Sequence, residues 1–212
     1  MKENKIDGSD GSDGSDGSDG SDGDGADGGL RARLVRVGVD LVDAEGAQAL
    51  TLREIARRAG VSHGAPRRHF PTHLDLLSAI ARRGFAELAA RVDAEDRQDT
   101  APRERIARLA HVYLDFAGAR RGMYELMFRH DLLESGRLGL RETSLPLFAR
   151  LAGLVAEVRP GADPVVVAGA LWANLHGIAQ LWHWGSLRLA TGGDDPGPLL
   201  TAALDAHLGH AS

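Results

Sequence analysis

The chain has no cysteine in its 212 residues, which excludes disulfides and thiolate metal sites and fits a reducing compartment. Lysine occurs only at Lys2 and Lys5, so nearly all the fixed positive charge is arginine. No apolar run is expected to approach the ~18 residues of a membrane helix, and the polar N-terminus lacks the apolar stretch of a signal peptide. Cytoplasm is therefore the expected compartment, with no membrane partner. Catalytic signatures are missing too. There is no His-Glu-x-x-His, no Gly-x-Ser-x-Gly, no phosphate-binding glycine loop after a strand and no thiol nucleophile. His176 and His183 have no carboxylate at metal-ligand spacing, so neither a metal nor a cofactor is expected.

What charge there is lies unevenly. The net of −5 conceals a −7 in residues 1–29 and a +2 in the remainder. Residues 30–90 carry ten Arg against six acidic groups, with His63, His69 and His73 besides. A basic domain behind an acidic tail suits a nucleic-acid partner, which an evenly acidic protein does not. The tail repeats Gly-Ser-Asp five times from Gly8 to Asp22 and continues GDGADGG. The repeat has nothing apolar to bury and one charge every third position, so residues 1–29 are expected to be a disordered spacer. Calcium-binding nonapeptide repeats need an apolar residue in each turn, and this repeat has none.

The most informative stretch is residues 51–70, TLREIARRAGVSHGAPRRHF. Thr51 and Glu54 have the spacing of a capping box, in which each side chain satisfies the other's backbone N–H. Leu52, Ile55, Ala56 and Ala59 fall on one helical face, with Arg53, Arg57 and Arg58 off it. Gly60 sits where a left-handed residue ends a helix. Ser62 is the expected N-cap of a second, very short helix that turns Pro66 and Phe70 inward. His63, Gly64, Ala65, Arg67 and Arg68 are left outside, and Pro66 is expected to weaken the helix slightly by its missing N–H. Two short helices joined this way form a helix-turn-helix, whose second helix enters a major groove.

This stretch, with RARLVRVGVDLV and DAEG before it and LLSAI after it, resembles the DNA-binding domain of the TetR family of bacterial transcriptional regulators. The likeness runs from Leu30 to about Phe85. It departs at Arg67, where the family usually has Tyr, and at His73, where it has a phosphate-binding Lys. The resemblance implies an all-α protein with a three-helix DNA-binding domain at residues 30–90 and an effector-binding and dimerisation bundle at 91–212. Arg67 and Arg68 are the expected recognition-helix contacts, alongside Ser62, His63, Gly64 and Ala65. Thr51 and Arg53 are expected at phosphates, and His69 and His73 complete the set.

Downstream, helical stripes continue to about nine helices in all, with no strand alternation. Thr72 caps a helix bearing Leu76, Leu77, Ile80 and Phe85, and Pro102 opens another with Ile106, Leu109, Tyr113 and Phe116. Residues 145–158 are predicted helical, as are 163–190, which open on Asp163-Pro164, and 199–208. Gly169, Ala173 and Gly177 recur every fourth residue, a smooth seam that marks close helix packing and a candidate dimer interface. The string LWANLHGIAQLWHW resembles a TetR subgroup with a Trp/His-Gly signature. Tyr113, Phe116, Met123, Tyr124 and Met127 are the candidate wall of an effector pocket. Phe128, Leu147, Leu151 and Trp172 extend it, with His176 as a polar anchor, and the expected effector is small and largely apolar. The resemblance implies a ligand-released repressor acting as a homodimer on a palindromic duplex operator. A structural helical dimer whose helix-turn-helix only packs, and a helical-bundle enzyme, are the competing readings.

Overall fold

The computed structural model describes residues 22–129, 131–132 and 139–210, the first seven as backbone alone. Among them the secondary structure is entirely helical. The order is α1 (Asp22–Glu45), a 3₁₀ turn (Ala47–Ala49), α2 (Leu52–Arg58), α3 (Ala65–His69), α4 (His73–Glu95), α5 (Pro102–Ala119) and α6 (Arg121–Met127). Then come α7 (Leu140–Val158), α8 (Pro164–His183), α9 (Ser186–Thr191) and α10 (Gly197–Leu208).

Helix α1 packs on α2, α3 and α4, and Leu34, Leu41, Ile55, Phe70, Leu76 and Ile80, each fully buried, belong to the core they share. Burying a side chain of this size stabilises the fold by about 1.5–3 kcal/mol. The second half of α4 packs on α5, α6 and α7, with α8 and α10 closing the bundle. No backbone break marks the domain boundary expected at residue 90, because α4 runs through it to Glu95.

Several local expectations are corrected. Helix α1 begins at Asp22, eight residues before Leu30, and the rest of the Gly-Ser-Asp repeat lies outside the described residues. Thr51 Oγ1 accepts from the Glu54 N–H at 3.1 Å, but Glu54 does not reach back. Its carboxylate is taken by Arg57 and Arg58, while the Thr51 N–H donates to Ala49. The complete capping box is at Thr72 and Asp75, heading α4. Gly64, not Ser62, is the N-cap of α3; Ser62 offers only its carbonyl to the Ala65 N–H. Pro66 is then in the first turn, where its N–H would have had no intrahelical partner, so it removes nothing.

In the bundle, α7 starts at Leu140 and carries Pro146 in its interior. The predicted long helix stops at His183, because Gly185 turns left-handed at φ 78° and starts α9 instead. That break accounts for one helix more than the pattern suggested. Its N-terminus is as expected: Asp163 accepts from the N–H groups of Val165 and Val166 at 2.9 and 3.2 Å. The expectation that no apolar run reaches membrane length is also overturned. Residues Pro164–His183 contain no Asp, Glu, Lys or Arg, and by length and composition they are apolar enough to cross a bilayer. Asn174, His176 and Gln180 break the run of apolar residues, but uncharged side chains lower its hydropathy without removing it.

Candidate nucleic-acid interface and ligand cavity

The helix-turn-helix is held from behind. Gly60 takes φ 64° to end α2, and the Arg33 guanidinium donates to the Ala59 carbonyl at that turn. The Arg31 guanidinium lies 5.0 Å from the centre of the Phe70 ring, below α3. His73 exposes its ring at the start of α4, yet its Nε2 donates to the Leu50 carbonyl, tying α4 to the loop before α2.

On the outer side the cations divide into two groups. Arg57 makes two hydrogen bonds to the Glu54 carboxylate, at 2.9 and 2.6 Å, and Arg58 binds both Glu54 and Glu45. These bonds hold the Glu54 carboxyl near a pKa of about 2. Arg53, Arg67 and Arg68 are exposed, and no described carboxylate pairs with them. Thr51, Ser62, His63 and Gly64 share that exposed surface, while Ala65 and His69 are half-buried. The arrangement leaves three fixed positive charges around a five-residue helix, free to meet phosphates and base edges.

The bundle contains a cavity of ≈ 350 Å³. Of the residues expected there, Tyr113, Phe128, Leu147, Leu151 and Trp172 line it. Phe116, Met123, Tyr124, Met127 and His176 do not. Met123 and Met127 pack instead against Gly84 of α4, where an added Cβ would lie 2.5 Å from the Met127 sulfur. Sequence reasoning missed the α4 contribution, Phe85, Leu88 and Val92, and most of the α7 wall, including Phe148 and Arg150.

Behind the wall, Tyr113, Tyr124 and His176 form a hydrogen-bonded cluster. The Tyr124 and Tyr113 hydroxyls lie 2.7 and 2.9 Å from His176 Nδ1 and 3.1 Å from each other. Burial pushes the Tyr113 hydroxyl up to about 12 and raises Tyr124 as well, while it lowers His176. All three groups are therefore neutral near pH 7. At the far end of α4, Asp96 has a fully buried carboxylate bound by Arg105 at 2.7 and 3.0 Å and by Arg150 at 2.8 Å. Arg150 also reaches Asp93.

The outward face of α8 is open. A Cβ at Gly169 or Gly177 would meet nothing within 4 Å, and Ala173 is exposed between them. Val166 and Trp184 continue the stripe at 64% and 65% exposure, with Leu181 between. An uncharged stripe of this length on one helix has no covering within the single chain.

Residues 34–80 match the family described as "Bacterial regulatory proteins, tetR family". Residues 106–207 match "Tetracyclin repressor-like, C-terminal domain". The nucleoid occlusion factor SlmA of Haemophilus ducreyi is 26% identical over 111 residues, 51% of this chain and 55% of the relative. The chain spans about half the length of the curated relatives it matches. A solved protein of unknown function from Rhodococcus sp. RHA1 is 30% identical with a TM-score of 0.72, covering 84% of this chain and 93% of that one. The multidrug binding protein EbrR, solved with imidazole, is 26% identical with a TM-score of 0.56, covering 86% and 96% respectively.

Proposed function

The chain belongs to the TetR family of bacterial regulators, non-enzymatic proteins that act through DNA, and we propose that it is a ligand-released repressor working as a homodimer on a two-fold related operator. The observation that carries the DNA side is the contrast among its arginines. Arg53, Arg67 and Arg68 stand unpaired around α3, while the neighbouring Arg57 and Arg58 are neutralised. A helix-turn-helix used only for packing has no need of exposed, unpaired cations at that place. Thr51, Ser62, His63, Gly64, Ala65 and His69 form the rest of the proposed contact surface, with His73 bracing it through Leu50.

Dimerisation through α8 and α10 is supported by the uncovered stripe through Ala173, and a second copy would bury it. Ligand release is supported by the cavity, because α4 forms part of its wall and also heads directly from the recognition helix. Filling the cavity would shift α4 and with it α3, weakening DNA binding. The multidrug binding named for EbrR agrees with such a cavity. The Trp/His-Gly subgroup, carried by Trp172, His176 and Gly177, and a cytoplasmic location belong to the same reading.

Selection of bound fragments from random duplex DNA tests the proposal. The expected consensus has two half-sites related by a two-fold axis, with centres about 34–36 Å apart. In the same screen Ala173→Arg should sediment as a monomer and return no consensus. A wild-type screen without a consensus sinks the regulator reading, and a dimeric Ala173→Arg places the interface elsewhere.

A further inference from the structure

The polar side chains bordering the cavity are few, and its hydroxyls and its one guanidinium are already committed. The Tyr113 hydroxyl is bound within the Tyr124 and His176 cluster. Ser144 donates to the Arg141 carbonyl one turn back. Arg150 is the one charged side chain on the wall, and Asp93 and Asp96 take its guanidinium. With Arg105 included, this cluster sums to zero charge: two guanidiniums against two carboxylates. An acidic ligand head would have to win Arg150 from two carboxylates, the exposed Asp93 and the fully buried Asp96. A cationic head would find Arg150 beside it and no free carboxylate. Either ion would lose its water without a partner, a penalty that usually decides the matter.

The rest of the wall is aromatic and aliphatic. Phe128 and Trp172 have ring centres 6.1 Å apart at 46°, Phe148 and Trp172 6.3 Å apart at 66°, and Phe85 and Phe128 5.6 Å apart at 79°. The tilted rings present edges and faces to a flat guest, the arrangement in which aromatic groups attract one another. Benzene fills an apolar cavity of roughly 150 Å³. At ≈ 350 Å³ this one suits two or three fused or linked rings. Leu145, 59% exposed, stands at its mouth.

We infer that the ligand is an uncharged, ring-containing hydrophobe, and that the cavity refuses carboxylates and ammonium ions of the same size. This rests on the cavity being the effector site. The test uses the full chain and the neutral fluorophore N-phenyl-1-naphthylamine, displaced by 2-naphthylmethanol, 2-naphthoate and (2-naphthylmethyl)trimethylammonium. The alcohol should displace the probe at a concentration about 30-fold or more below either ion. If only the neutral acid enters, the apparent affinity of naphthoate should fall about tenfold for each pH unit above the ligand's own pKa. A pH-independent affinity, or naphthoate matching the alcohol at pH 7, would mean that Arg150 leaves Asp93 or Asp96 for the ligand, and would overturn the inference. Ammonium matching the alcohol would overturn it as well, making the rings a cation cage. Blocking variants tell this failure apart from that of the site itself. Ala110→Phe fills the interior, and Leu145→Trp plugs the exposed mouth without touching the core. Both should abolish probe binding. A probe that fails to bind, or that binds both variants as it binds wild type, overturns the effector-site reading and the inference with it.

Discussion

Around the helix-turn-helix, Arg53, Arg67 and Arg68 stand exposed with no carboxylate beside them, whereas around the bundle Arg105 and Arg150 close on Asp96, and Arg120 joins Asp43 of α1 to Glu87 of α4. The same side chain thus serves two ends. Paired and half-buried, it fixes the angle between helices. Unpaired and exposed, it contributes little to the fold and keeps its charge available for a partner. Pairing, more than residue type, separates the arginines that join helices from those proposed to meet DNA.

The largest expected effect comes from breaking the paired side. Asp96→Asn leaves two guanidiniums around a neutral amide and should destabilise the protein by about 3 kcal/mol at pH 7, measured as a lowered urea midpoint. Arg105, and then Arg150, hold the Asp96 carboxyl at about 2, below its ordinary 3.8. The folded state therefore favours the ionised form. Its stabilisation is full above the unfolded value and is lost as pH falls from about 4 towards 2. The gap between wild type and variant should close over that window. A gap that persists at the acid end would assign the loss to packing.

A smaller effect, on a different readout, comes from the unpaired side. Arg67→Ala should weaken binding to the selected operator by about 1–3 kcal/mol and leave the urea midpoint unchanged. Equal loss on operator and random duplex would make Arg67 a phosphate contact, and a shifted midpoint would show that it has a structural partner after all. The smallest effect moves a residue from one class to the other. Glu54→Gln releases Arg57, so the slope of log affinity against log salt on random duplex should steepen by roughly one. An unchanged slope would mean that Arg57 points away from the DNA.

Much of the helix-turn-helix was legible because its determinants are local. The Thr51 cap, the left-handed Gly60 and the inward Pro66 and Phe70 all lie within one stretch of sequence. The errors there were contests between near neighbours: Glu54 had a choice between the Thr51 N–H and two guanidiniums one turn away, and the charged partners won. The cavity was only half legible. Tyr113, Phe128 and Trp172 announce themselves as aromatics, but Leu88 and Val92 look like ordinary core positions of α4. They become wall only because α7 stands off from them, and nothing in their own neighbourhood encodes that gap. Met123 and Met127 misled for the complementary reason. The space that receives them is created by Gly84, some forty residues earlier in the chain.

The unpaired cations beside α3 are guanidiniums without exception, in a chain whose lysines stop at Lys5. A guanidinium stays protonated across the whole range in which a protein survives. Enzymes that acetylate amines find no target on that surface, and a rise in alkalinity does not discharge it. The charge that Arg53, Arg67 and Arg68 give this face is therefore fixed, and ionic strength sets how far its attraction for a polyanion reaches. In the proposed dimer, control over its release from DNA is expected to act on the distance between two such faces more than on the charge of these arginines.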